Sequence, residues 1–169
     1  PIARDALGAS AAFMRGDAAG APLLHVEGAA VESSGLKGVQ AFADDLRSWS
    51  TLFDDDDMTA ALFGLGAFIE KAGTGGGLFR TLQAQGCQTI ADLLDDAATA
   101  DAAAAARDAS KAWSALAAAA TNTDTPLCSR SLAAAEVAAM LPETETRLVE
   151  ALERASRSLG ASTPTSTIN

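Results

Sequence analysis

The residues able to do chemistry in this chain are few and far apart. His25 is the single histidine, and Cys87 and Cys128 are the only thiols. Four consecutive aspartates run from Asp54 to Asp57, and a glycine-rich turn, Gly73-Thr74-Gly75-Gly76-Gly77, lies between Glu70 and Arg80. A Cys–His or Ser–His nucleophile needs its base within hydrogen-bond reach and a third group to orient that base. His25 falls in a Gly/Ala/Pro stretch that reads as a loop, and neither cysteine has the sequence context of an activated thiol. Cys87 is expected just ahead of a helix start, where a thiolate gains somewhat from the helix dipole; a buried, incidental thiol is the simpler reading. One histidine without a cysteine cluster makes no zinc site. The aspartate run lacks the alternating spacing and the distant bidentate glutamate of a calcium loop, so it reads as capping carboxylates at a helix entrance. No catalytic residue, metal ligand or cofactor is assigned.

The glycine turn is the most distinctive stretch. A Gly-rich turn opening a helix presents free backbone amides to an anion, and the planar fork of Arg80 suits a carboxylate or a phosphate. No Gly-Lys-Ser/Thr follows, which excludes a phosphate-binding P-loop, and the turn follows a helix instead of a strand, which excludes a dinucleotide fingerprint. The competing reading is a tight helix–helix corner with Glu70 and Arg80 paired across it. The candidate ligand- or partner-binding residues are Glu70, Thr74, Gly75, Gly76 and Arg80.

The elements that must position these residues are helical. Alanine dominates the apolar half of the composition, there is no Tyr, and Val and Ile are sparse; alanine has the best intrinsic helix propensity, and the residues that favour sheets are scarce. Residues 2–15 place Ile2, Ala6, Ala9, Phe13 and Met14 on one face, ending at Gly16. Leu23-Leu24-His25-Val26 lies in a loop or short extended piece. A second helix capped by Ser33 or Ser34 carries Leu36, Val39, Phe42, Ala43, Leu46 and Trp49 at three- and four-residue steps. A third follows the aspartates with Ala61, Leu62, Leu65, Phe68 and Ile69, and stops at Gly73. A fourth carries Leu78, Phe79 and Leu82. From Thr89, read as an N-cap, another runs through Ala102–Ala106 to Trp113, Leu116 and Ala120. Pro142 suits a first helical turn, so Ser131–Leu159 reads as two helices meeting near Leu141, with Leu148, Leu152 and Leu159 inward. Trp49 and Trp113 read as core anchors. The sequence therefore predicts an all-α, irregular bundle of six or seven helices in a single domain. An N-terminal helix and loop occupies residues 1–33, the bundle 34–160, and a loose Ser/Thr-rich tail 161–169.

The net charge of −10, with 12 basic residues scattered among 22 acidic ones, argues against nucleic acid, because phosphate backbones are held by clustered Lys and Arg. No apolar run is long enough to span a membrane. The first 15 residues lack the basic cap and continuous apolar core of a signal peptide, and the expectation is a reduced, cytoplasmic protein. A free proline amine such as Pro1 would offer is the general base of the tautomerases, but those proteins are β-α-β units and no strand-like segment follows here.

Several stretches together resemble a known family. Ile69-Glu70-Lys71, Gly73-Thr74-Gly75-Gly76 and Phe79-Arg80 resemble a motif in the helical C-terminal domain of proteins like butirosin biosynthesis protein H. Gly35 to Leu46, ending at Trp49, is similar to the helix preceding that motif. Ala109 to Leu116, with Trp113, is similar to a later helix, and Ala133–Leu152 fits loosely. The resemblance implies a bacterial protein of natural-product biosynthesis whose papain-like half supplies a Cys–His nucleophile for aminoacyl transfer from a carrier-protein thioester to an amine. Nothing similar to that half is found in this sequence, so no catalytic role passes to Cys87 or His25.

The expected function is thus a helical accessory domain that positions substrate for such an acyltransferase, its partners a papain-like catalytic half or an acyl carrier protein. The alternative is a noncatalytic interaction module that homo-oligomerises through the alanine-rich faces Ala102–Ala106 and Ala117–Ala120.

Overall fold

The structure, a computed structural model, describes residues 1–16, 34–71 and 76–161. Seven helices fill these residues: α1 (Ile2–Arg15), α2 (Gly35–Leu52), α3 (Asp55–Glu70), α4 (Gly77–Leu94), α5 (Ala97–Thr121), α6 (Leu127–Ala138) and α7 (Leu141–Ala161). No strand occurs among the described residues, and the all-α single domain is as expected. The Leu23–Val26 stretch, with His25, lies outside the described residues, as do Gly73 and the 162–169 tail.

The helix ends follow local chemistry. Gly16 closes α1 in the left-handed conformation (φ 85°), its N–H reaching the carbonyls of Ala12 and Phe13. Asp54 opens α3 by accepting from the Asp57 amide at 2.9 Å, so the aspartate run is a helix entrance. Ser34 stands at the N-cap of α2 but its side chain makes no capping bond. The second helix is instead fixed by its glycine: Gly35 has φ 59°, and a Cβ there would overlap the Met14 carbonyl. α3 ends at Glu70, with Lys71 at its C-cap, short of Gly73.

One boundary differs from the sequence expectation. Thr89 does not start a helix; it lies inside α4 and its hydroxyl donates back to the Gln85 carbonyl at 3.0 Å. The break falls at Asp95 (φ 50°) and Asp96, whose carboxylate accepts from the Thr99 amide at 2.7 Å, the Thr99 hydroxyl at 2.6 Å and the Ser158 hydroxyl at 2.6 Å. Three donors on one carboxylate outcompete a threonine that the helix can absorb by back-bonding. α4 runs through Gly86 without a break, since a single interior glycine costs a helix only about 1 kcal/mol.

The long α5, about 37 Å by its 25 residues, is the axis against which α3, α4, α6 and α7 pack. Ala102, Ala103, Ala106, Ala109, Ala117 and Ala120 are all buried. These alanines of the faces Ala102–Ala106 and Ala117–Ala120 pack inside the chain, where small side chains let four neighbours approach one helix closely, while Ala104 and Ala118 stay exposed. On α1 the buried stripe is Leu7, Ala11 and Met14, while Ile2 and Phe13 are exposed; Gly8 faces Ser156 of α7, whose Oγ would stand 3.0 Å from an added Cβ. This stripe joins the bundle core, so α1 packs as part of the bundle.

The core has two lobes. One gathers α1, α4, the first half of α5 and the later part of α7 around Ala106, Leu148 and Leu152. The other gathers α2, α3, α6, the second half of α5 and Leu141 around Leu46, Leu62 and Leu116. Only α5 and α7 contribute buried residues to both.

Asp96→Ala is expected to lower stability by about 1–2 kcal/mol in urea unfolding, whereas Thr89→Ala should stay within about 0.5 kcal/mol of the parent. Equal losses would restore the boundary at Thr89. Burial pushes the Asp96 carboxyl up, but hydrogen bonds from Ser158 and Thr99 outweigh it and hold the group below the ordinary range. A lowered folded value means the stabilisation is complete above the unfolded carboxylate pKa and is lost as pH falls through the folded one. Below about pH 4 the parent's urea midpoint should therefore fall more steeply than that of Asp96→Ala.

Candidate functional site

Between the two lobes, the apolar register of α5 and α7 is interrupted at one level. On α5 the gap between Ala109 and Leu116 holds Trp113, and on α7 the gap between Leu141 and Leu148 holds Glu145. Glu145 is only 1% exposed, one of three buried polar or charged residues among those described. A carboxylate so placed must be hydrogen-bonded or lose several kcal/mol, on the order of 3–5. Arg80 of α4 meets it with a fork: Nε donates to Oε1 at 2.9 Å and Nη2 to Oε2 at 2.8 Å. The Trp113 indole Nε1 donates to Oε1 at 2.6 Å. Both carboxylate oxygens are thereby satisfied.

The glycine corner explains how Arg80 gets there. Gly77, the first residue of α4, is buried against α5, where Ser110 donates to its carbonyl at 2.9 Å. A Cβ on Gly77 would lie 2.7 Å from Ser114 Oγ. Gly76 packs on Ile69, where a Cβ would stand 3.0–3.1 Å from that residue's atoms. The paired glycines let α4 begin flush against α5, and Arg80, about one turn on, reaches across to α7. The expected pairing of Glu70 with Arg80 does not form. Glu70 is exposed and makes no ion pair among the described residues, while Arg80, 17% exposed, is committed to Glu145, 65 positions away. Of the five candidates, Gly76 and Arg80 come together at this seam; Thr74 and Gly75 lie outside the described residues.

A cavity of about 510 Å³ opens over the pair. Its walls are Phe13 and Met14 of α1, Leu36, Val39 and Phe42 of α2, and Leu65, Phe68 and Ile69 of α3; Arg80, Trp113 and Glu145 form its polar end, with Ser10 beside them. Phe42 stacks on Trp113 at 6.1 Å between ring centroids, so Trp113 is a cavity wall as well as an anchor. Gln83 extends the polar network, accepting from Arg80 Nη1 at 3.4 Å and donating to Ser10 Oγ at 2.9 Å. This volume lies in the range of small-molecule sites, as does a mainly apolar lining with a few converging polar groups.

Among the described residues no cysteine lines the cavity, and its hydroxyl groups are those of Ser10 and Ser34. Cys87 lies in the middle of α4, not ahead of a helix, and burial pushes its thiol up, away from the thiolate. Among the described residues no group of three or more His, Cys, Asp or Glu is placed to hold a metal ion, and no helix is long and apolar enough to cross a membrane.

Sequence reasoning missed Glu145 and left Trp113 as a bare anchor. The signal for Glu145 was present: Leu141, Glu145, Leu148, Val149 and Leu152 share one helical face, so an acid stands where an aliphatic residue is expected.

Arg80→Met leaves a buried carboxylate without its cation and should cost about 3–5 kcal/mol in urea unfolding. Glu145→Leu should cost less, because Arg80 retains access to solvent through the cavity. The double variant Arg80→Met/Glu145→Leu should be far closer to the parent than the sum of the two. Additive losses would mean the pair is not the unit described.

No curated protein and no solved structure matches the chain. The family described as "Domain of unknown function (DUF4872)" matches residues 1–152, nine-tenths of the sequence and all of the seam between the lobes, and the chain belongs to that family.

Proposed function

We propose that this domain is a substrate-positioning accessory domain of an acyltransferase system in natural-product biosynthesis. It holds the acyl or aminoacyl portion of the substrate in the seam cavity while a separate papain-like half supplies the nucleophile. The single observation that carries this reading is a mainly apolar cavity of about 510 Å³ whose polar end is a preorganised Arg80–Glu145–Trp113 cluster and whose described lining includes no cysteine. A rigid, hydrogen-bonded polar end fixes where a bound molecule's head must lie, which is what positioning a reacting carbonyl requires.

A second observation supports docking of another unit. α4 turns its buried face, Gly77, Ala84, Cys87 and Ala91, to the core, and leaves Leu78, Phe79, Leu82 and Leu93 exposed at 41, 45, 51 and 77%. Exposed apolar side chains grouped on one helix, as Leu78, Phe79 and Leu82 are within its first turns, commonly mark an interaction face. A catalytic half or a carrier protein packed there fits the resemblance carried by Glu70–Arg80. Cys87 and Cys128 are unpaired, in keeping with a reducing, cytoplasmic setting.

The test uses a carrier-thioester mimic, S-octanoyl-N-acetylcysteamine, titrated into protein carrying Trp49→Phe so that Trp113 is the only indole. Saturable quenching is expected, weakened about tenfold or more in Leu65→Phe, which fills the cavity while retaining the parent's thermal midpoint. A flat titration, or one indifferent to Leu65→Phe, would remove the cavity as the substrate site.

A further inference from the structure

The charge state of the cavity's polar end selects the kind of head group it accepts, an inference that rests on the reading of the cavity as a binding site. Arg80 offers five N–H groups. Glu145 takes one from Nε and one from Nη2, and Gln83 takes one from Nη1, which leaves each terminal nitrogen a donor. Both charges of the pair are already matched, and the walls around them are aliphatic and aromatic. The cavity therefore offers hydrogen-bond donors without net charge.

Each class of head group meets this differently. An anionic head would have to share Arg80 with Glu145, placing two carboxylates about one guanidinium once the bound chain has displaced the cavity's water. A cationic head would need Glu145, which is 1% exposed and has Arg80 and Trp113 on its oxygens. A neutral acceptor needs only the spare donors, and brings no charge to desolvate.

We propose that the seam cavity selects uncharged acyl compounds (amides or thioesters), with the chain among Val39, Phe42 and Leu65 and the carbonyl oxygen on Arg80, and rejects the corresponding free carboxylate. A site of this kind holds an activated or amidated acyl group and releases the hydrolysed acid.

The experiment compares octanamide with octanoate at about pH 8, where the acid is ionised, by quenching of Trp113 in Trp49→Phe protein. Octanamide should bind at least about tenfold more tightly. In Glu145→Gln, the cation loses its matching charge, so the affinity for octanoate relative to octanamide should rise about tenfold or more. Octanoate binding as tightly as the amide in Trp49→Phe protein would overturn the proposal yet leave the cavity as a binding site; this comparison stands even if Glu145→Gln does not fold. A folded Glu145→Gln with the parent's preference would also overturn it, since charge matching would not be the cause. Failure of both compounds to bind below about 1 mM would remove the binding reading together with the selectivity.

Discussion

The Glu145 carboxylate, sunk in the apolar face of α7, is the constraint to which the surrounding structure answers. Left alone it would remove a large share of a small domain's net stability, which is only about 5–15 kcal/mol. Its partners come from two other helices, Arg80 on α4 and Trp113 on α5, and each hydrogen bond fixes the rotation of the helix that supplies it. α4, α5 and α7 are thereby locked in register at one level, which aliphatic packing alone specifies less sharply. The same cluster divides the hydrophobic core. Aliphatic side chains gain nothing by interdigitating with a satisfied ion pair, so the packing condenses above and below it, and the gap on the open side is the cavity.

Alanine makes this arrangement sterically feasible. A central helix lined by Ala102, Ala106, Ala109, Ala117 and Ala120 lets four neighbours come close, but it supplies little volume of its own. The bulky groups are displaced to the periphery, where Phe13, Phe42 and Phe68 form cavity walls. A core built on small residues is dense along its axis and open at its rim. The glycines continue the theme: Gly77 against Ser110 and Ser114, and Gly66 where a Cβ would meet Thr121, let α4 and α3 lie close to α5.

Much of this was legible in the sequence, and the reason differs from element to element. The helices were visible because their apolar spacing, the Asp54 cap and the Gly16 stop are local features, read within one or two turns. The Thr89 boundary failed because threonine and aspartate are both capping residues, and Ser158, 62 positions from Asp96, adds to the Thr99 donors a tertiary one that the local sequence does not show. The buried face of α1 failed similarly: Phe13 outranks Leu7 in hydrophobicity, yet Leu7 is the one buried, with Gly8 facing Ser156 of α7. In the site, the glycine corner and Arg80 stood out by composition, and Gly76 and Arg80 do meet the cavity. The partner of Arg80 could not be read. Glu70 was the near carboxylate, and proximity along the chain is a poor guide once a helix carries the guanidinium away from it. What the pattern did offer was Glu145 as an acid in an apolar stripe, a residue that must find a cation somewhere; Arg80 is the candidate that the glycine corner delivers.

The charge pattern acts in the same direction on two length scales. At long range the chain carries ten more negative than positive charges, a field that disfavours anions until ionic strength screens it beyond about 8–10 Å. At short range, once a bound chain displaces the cavity's water, that screening weakens, and the matched Arg80–Glu145 pair leaves no unpaired cation to reward an anion that arrives. A protein built to capture free acids would carry an unmatched arginine at this point. Here the guanidinium is neutralised from beneath by a residue the fold buries almost completely, and the donors that remain are those of a neutral hydrogen-bonding surface. The acid that holds the helices together is thus also the group that determines what the cavity can recognise.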